Sequence, residues 1–177
     1  MATTNVYQYK VLKDTTEKAV IKLTAKFDGS GQEDNPNRIS ANTLYGALNA
    51  NSTPGLLSSG GSPLSYYGLG IHKLWYDCVN ASAADVELYW NANNTPNTIF
   101  FLSGTYEYDG NSNWITIPNE SQGLTGCNGD IGIRTRGMLA NSSYTIVMEL
   151  RKNNYDYQRG QLDEPAAFNY GPFGLRP

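Results

Sequence analysis

The sequence predicts an all-β protein: an antiparallel β-sandwich of jelly-roll or immunoglobulin-like type, with about eight strands, a long inserted loop and an extended C-terminal arm. Three observations predict it. Apolar and polar residues alternate with period two in run after run, the pattern of a strand buried on one face. Turn-forming Gly, Asn, Asp and Pro separate the later runs every ten residues or so, the spacing of a sandwich. Only 16% of residues are charged, against ~25% in an average domain. Polarity comes instead from Asn, Ser, Thr, Gly and 13 Tyr, which suit sheets and hydrogen-bonded loops better than helices. No strand–helix–strand alternation points to a parallel sheet. The 177 residues suit one domain. We read 1–152 as the sandwich, with 28–68 as a long loop inserted in it, and 153–177 as the arm.

The elements follow in order. "VYQYKVL" alternates from Val6 to Leu12, "DTTEKA" turns, and "AVIKLTAKF" alternates again. In the second run Ala19, Ile21, Leu23, Ala25 and Phe27 share one face, with Lys22, Thr24 and Lys26 on the other. The two runs read as an N-terminal hairpin or a pair of edge strands. From Asp28 to Gly68 the alternation dissolves. "DGSGQEDNPN" reads as loop, "NRISANTLYGAL" as one short helix capped by Asn37 with Ile39, Thr43, Leu44 and Leu48 near one side, and "NSTPGLLSSGGSPLS" as loop again. In "IHKLWYDCV", Leu74, Tyr76 and Cys78 alternate against Lys73, Trp75 and Asp77. In "ADVELYWNA", Val86, Leu88 and Trp90 point inward and Asp85, Glu87 and Tyr89 outward. "TIFFLSGTYEY", "WITIP" and "GDIGIRTRG" read as one strand each. "SSYTIVMELRK" closes the set, with Tyr144, Ile146, Met148 and Leu150 inward.

Composition narrows the function. The net charge is -3 and the thirteen Lys and Arg are scattered, so there is no basic stripe for nucleic acid. No apolar run approaches the roughly 20 residues of a membrane helix, and the N-terminus lacks the pattern of a signal peptide. Neither nucleic acid nor membrane is expected as a partner. Cys78 and Cys127 lack metal-ligand spacing and read as reduced, buried thiols. Sequons at Asn51, Asn80, Asn93, Asn119 and Asn141 read as Asn-rich turns.

Catalytic candidates are thin, and neither an enzyme nor a cofactor is expected. His72 is the only histidine and reads as a strand residue, not a general base. Glu107 and Asp109 share a strand face about 7 Å apart, the arrangement of a carboxylate pair, but read as surface groups. Asp28, Glu33 and Asp34 offer oxygen ligands without the spacing of a calcium loop. "GLTGCNGDIG" precedes a strand and lacks Lys-Ser/Thr, so it reads as a tight corner, not a phosphate cradle. Trp75, Trp90 and Trp114 read mainly as core. Tyr89, Tyr106 and Tyr108 are the outward aromatics that could stack on a sugar or a protein.

One resemblance emerges from the ordered segments "VLKDTTEKAVIKLTAKF", "IHKLWYDC", "VELYWNA", "FLSGTYEYDG" and "GLTGCNGDIGIRTRGMLANSSYTIVMELRK". Together, from Val6 to Lys152, they resemble a family of small virion structural proteins of tailed bacteriophages, of the marine and cyanophage type. The resemblance implies a non-enzymatic, homo-oligomeric part of the particle, assembled in the host cytoplasm. It would be a decoration or cement protein bound to the major capsid protein or other virion proteins. A neck or tail component, or a receptor- or glycan-binding tail module, is the alternative. The chain departs from the family in its enlarged 28–68 loop and in running on past Arg151.

That extension carries separated anchors: Tyr155, Tyr157, Phe168, Tyr170, Phe173 and Leu175. Burying Phe168, Tyr170 and Phe173 at ~200 Å² each gains roughly 15 kcal/mol, and ordering ten residues costs about 10–20 kcal/mol. The near-cancellation suggests an arm that gains order against a neighbouring subunit held close by other contacts. The competing arrangement folds the arm back on its own sandwich.

Overall fold

The computed structural model describes residues 4–48, 63–79, 84–92, 96–110, 116–153 and 156–157, and the statements below concern these. They form ten strands: β1 Val6–Asp14, β2 Lys18–Lys26, β3 Asp34–Ile39, β4 Leu69–Val79, β5 Asp85–Trp90, β6 Asn97–Leu102, β7 Gly104–Asp109, β8 Ile117–Pro118, β9 Ile131–Arg136 and β10 Ser143–Lys152. The larger sheet runs β1-β2-β10-β4-β7, with β8 also on β4, and the smaller runs β3-β9-β5-β6. Every pairing is antiparallel.

Four of these pairs nest: β2 with β10, β3 with β9, β4 with β7, and β5 with β6. Alternate pairs fall in opposite sheets. One long antiparallel ribbon, closed at the β5–β6 hairpin, is thus wrapped around a core. That nesting defines the jelly roll and excludes the immunoglobulin-like alternative. β1 adds an edge strand beyond it.

The alternation that marks the strands also builds the core. Ala19, Ile21, Leu23 and Ala25 of β2 stand opposite Leu150, Met148, Ile146 and Tyr144 of β10, all buried. Ile39, Val86, Leu88, Trp90, Leu102, Ile131 and Ile133 face them from the smaller sheet. Cys78 and Cys127 are free thiols in buried positions.

Four expectations are corrected. The stretch 28–68, expected as an inserted loop, supplies β3, the edge of the smaller sheet. There is no capped helix: Asn37 lies within β3, and a single 3-10 turn spans Ala41–Thr43 without a side-chain cap. Pro36 is tolerated because β3 is an edge strand, and the register slips between Asn35 and Ile39 around it. "TIFFLSGTYEY" is two strands in different sheets. The chain crosses at Ser103–Gly104, where Gly104 takes φ 68°, a corner open to a residue without Cβ. Finally, the body does not stop at Lys152. Asn153, Asp156 and Tyr157 are bonded into it, so an arm free of the body begins no earlier than residue 158.

Candidate interaction site

β1 is exposed from Val6 to Lys13. Tyr7, Tyr9 and Val11 stand opposite Ala25, Leu23 and Ile21, so they face the inside of the sandwich. The smaller sheet ends at β3 and leaves them 38%, 41% and 41% exposed. Tyr7 meets Phe27 edge-on at 5.9 Å. Arg38 reaches over from β3, its guanidinium 5.8 Å from the Tyr7 ring centre, and donates to the Gln8 carbonyl at 2.9 Å. Val6 is exposed on the outer face, and Leu12 is exposed where the register slips between Val11 and Lys13. An edge strand with apolar side chains on both faces and a row of unpaired amides is a surface for another chain.

Arg38 is held by a buried polar cluster beside this edge. Its guanidinium lies 3.2 Å from the Glu33 carboxylate, which accepts from the Tyr144 hydroxyl at 2.6 Å. Burial raises the pKa of Glu33, against the Tyr144 hydrogen bond and the Arg38 charge. Burial and the Glu33 charge together push the Tyr144 hydroxyl far up.

At the Asp14 end of β1 lies a second cluster. The Lys152 ammonium, fully buried, pairs with Asp14 and donates to the carbonyls of Thr15 at 2.6 Å and Tyr45 at 2.8 Å. Burial lowers its pKa, and Asp14 opposes that shift. The Tyr157 ring lies 5.1 Å from the ammonium and 5.6 Å from the Tyr67 ring. Its hydroxyl donates to the Ala41 carbonyl at 2.8 Å. Tyr45, 59% exposed, donates its amide to Asp14 at 2.8 Å. Tyr157 therefore sits next to this end of β1.

Of the six expected arm anchors, Tyr157 alone lies among the described residues, and it is corrected. It is fully buried in its own body and unavailable to a partner, because the pocket formed by Ala41, Tyr67 and Lys152 satisfies both its ring and its hydroxyl. Tyr155, Phe168, Tyr170, Phe173 and Leu175 lie outside the described residues, as does Trp114.

Other candidates are redistributed. Tyr89, expected outward and available for stacking, is 2% exposed. It lies over Gly132, which has no side chain to obstruct it, and under the Arg134 guanidinium at 5.2 Å. Its neighbour Glu87 is buried as well, with Arg136 at 3.3 Å, Arg134 at 3.6 Å and the Thr98 hydroxyl at 2.5 Å. Trp75, expected as core, is 39% exposed on the outer face of β4, while Trp90 is buried. Tyr106, expected on the outer face, is 58% exposed but stands opposite Tyr76 on the inner face, as Tyr108 does opposite Leu74. His72 Nδ1 sits 3.1 Å from the Thr116 hydroxyl, and Asp109 pairs with Lys73 at 3.2 Å. Asp28 is engaged with Ser30, Glu33 with Tyr144 and Asp34 with Arg134, three separate tasks. In "GLTGCNGDIG", Asp130 accepts from the Ala41 amide at 2.6 Å, which ties the loop to the 3-10 turn.

The exposure of β1 escaped the sequence, although a signal was present. The adjacent apolar pairs Val6-Tyr7 and Val11-Leu12 cannot both point inward. Comparison with known protein families, with curated proteins and with solved structures returns no match.

Proposed function

We propose that this chain is a structural component of a tailed-phage virion, a decoration or cement protein that binds and stabilises the major capsid lattice from outside. The observation that carries the reading is β1. A rigid jelly roll that leaves Val6, Tyr7, Tyr9, Val11 and Leu12 38–51% exposed on one edge has apolar surface whose burial must come from a neighbour. The ordered segments that resemble phage virion proteins support a virion neighbour, a second copy of this chain included. The segment 158–177, with Phe168, Tyr170 and Phe173, would then serve as a second attachment, cheap to form once the body is docked.

The test is location in the particle. Reconstruction of the virion that carries this chain is expected to show it repeated around the head, and its absence from the particle overturns the reading. Deleting 158–177 is expected to leave a folded body that no longer stays on the particle. A second reading, a glycan-binding tail module, is favoured by Trp75, exposed between the outer-face neighbours Val147 and Glu107. It predicts a few copies at the tail tip and saturable binding of host polysaccharide that is lost in Trp75→Ala.

A further inference from the structure

We propose that copies of this chain join edge to edge, the β7 edge of one lying beside the β1 edge of the next, so that the larger sheet continues from molecule to molecule. The grounds lie in the register. On the outer face one cross-strand row runs Lys10, Lys22, Val147, Trp75, Glu107, and the next runs Lys13, Val20, Glu149, Lys73, Asp109. Each row begins with a lysine on β1 and ends with a carboxylate on β7. A second copy set alongside, rows aligned, brings Glu107 to the neighbour's Lys10 and Asp109, which also pairs with Lys73, towards its Lys13.

The inner face agrees. There the rows run Tyr9, Leu23, Ile146, Tyr76, Tyr106 and Val11, Ile21, Met148, Leu74, Tyr108. The same alignment sets the exposed Tyr106 against the neighbour's exposed Tyr9, and Tyr108 against its Val11. Tyr7 begins the row that ends at Gly104. Apart from its two chain neighbours, no described residue comes within 4 Å of where a side chain would start at Gly104, so the neighbour's ring meets open space.

Two-fold alternatives are disfavoured by the same charges. Pairing β1 with β1 opposes lysines, and pairing β7 with β7 opposes Glu107 and Asp109. Like charges directly opposite destabilise a sheet. Four antiparallel steps separate β1 from β7, so the two strands run the same way and the junction is a parallel pair. Such a contact is heterologous: repeated, it closes into a ring or continues as a filament. One strand pair is smaller than the ~1,600 Å² of a standard stable interface, so association is weak for a single junction and grows with concentration. The junction does not depend on the assignment to a virion.

Sedimentation velocity on the full chain over a concentration series up to ~1 mM tests it. The unmodified chain is expected to associate with rising concentration, and less in high salt. Lys10→Glu alone, or Glu107→Lys alone, lowers the association constant about tenfold. An equimolar mixture of the two variants restores it, because every junction between unlike variants again joins opposite charges. Both positions are solvent-exposed, and circular dichroism checks that each variant keeps the fold. A chain that stays monomeric throughout, single reversals without effect, or a mixture that fails to recover overturns the proposal.

Discussion

Replacing Tyr157 with alanine is the sharpest test of where the body ends. Tyr157 is fully buried, lies 5.1 Å from the Lys152 ammonium and 5.6 Å from Tyr67, and donates to the Ala41 carbonyl. Truncating a buried aromatic costs about 3–5 kcal/mol. For a chain of this size each kcal/mol lowers Tm by roughly 2–4 °C, so Tyr157→Ala is expected to melt about 6–20 °C below the unmodified protein. Tyr157→Phe isolates the hydroxyl. It keeps the ring but leaves the Ala41 carbonyl without that donor, at about 1–3 kcal/mol. Urea unfolding followed by tryptophan fluorescence reads both, and the loss should appear as a lower midpoint with an unchanged slope. If Tyr157→Ala stays within about 0.5 kcal/mol of the parent, as surface substitutions do, Tyr157 belongs to the arm and the body stops earlier.

Further expectations follow from the same geometry. Asp14→Asn leaves the buried Lys152 ammonium with carbonyl partners only, and should cost about 3 kcal/mol by denaturant titration. Gly129→Ala should cost more than about 2 kcal/mol, or prevent folding: φ is +93° and the new Cβ would stand 2.0 Å from the Tyr67 carbonyl oxygen. Stability should also respond to pH. Burial holds Glu33, Asp130 and Asp156 above the ordinary carboxylate range, so the folded chain binds their protons more readily than the unfolded one. Their contribution to Tm therefore improves as pH falls from neutral through the raised values towards ~4. Glu149, which Lys18 and Arg151 hold low against its own burial, works the other way and is lost only as pH falls through its depressed value. Melting curves at stepwise pH check this, and a Tm that falls steadily from neutral to ~5 contradicts it.

How much was legible depended on whether a strand's pattern was written by its own residues. β2, β10 and the Leu74–Cys78 part of β4 bury one clean face, and Ala19 to Ala25 or Tyr144 to Leu150 announce it by alternation alone. β5 alternates as clearly in sequence but buries Glu87 and Tyr89 on its other face as well. β3 carries one buried apolar residue, Ile39, amid Asn, Pro and Arg. Its strand state comes from pairing Asp34 and Asn35 with Arg134 and Ile133, nearly a hundred residues away, which no local pattern contains. Tyr89 has the period of an outward residue and occupies that face, but Arg134 and Asp34 cover it there. Tyr157 follows a run with no periodicity. Its burial depends on a cavity assembled from the 3-10 turn and the end of β10, so it was grouped with the tail it precedes.

The nested ribbon also decides when this molecule can come into being. β10 lies between β2 and β4, and the bonded side chains of Lys18 and Glu149 stand 131 residues apart. During synthesis at about 5–20 residues per second, β2 therefore leaves the ribosome roughly ten seconds before the strand that must lie against it. Until then β1–β2 and β4–β7 have no strand to lie between them. β10 is the keystone of the larger sheet, so that sheet closes only once this strand has been made.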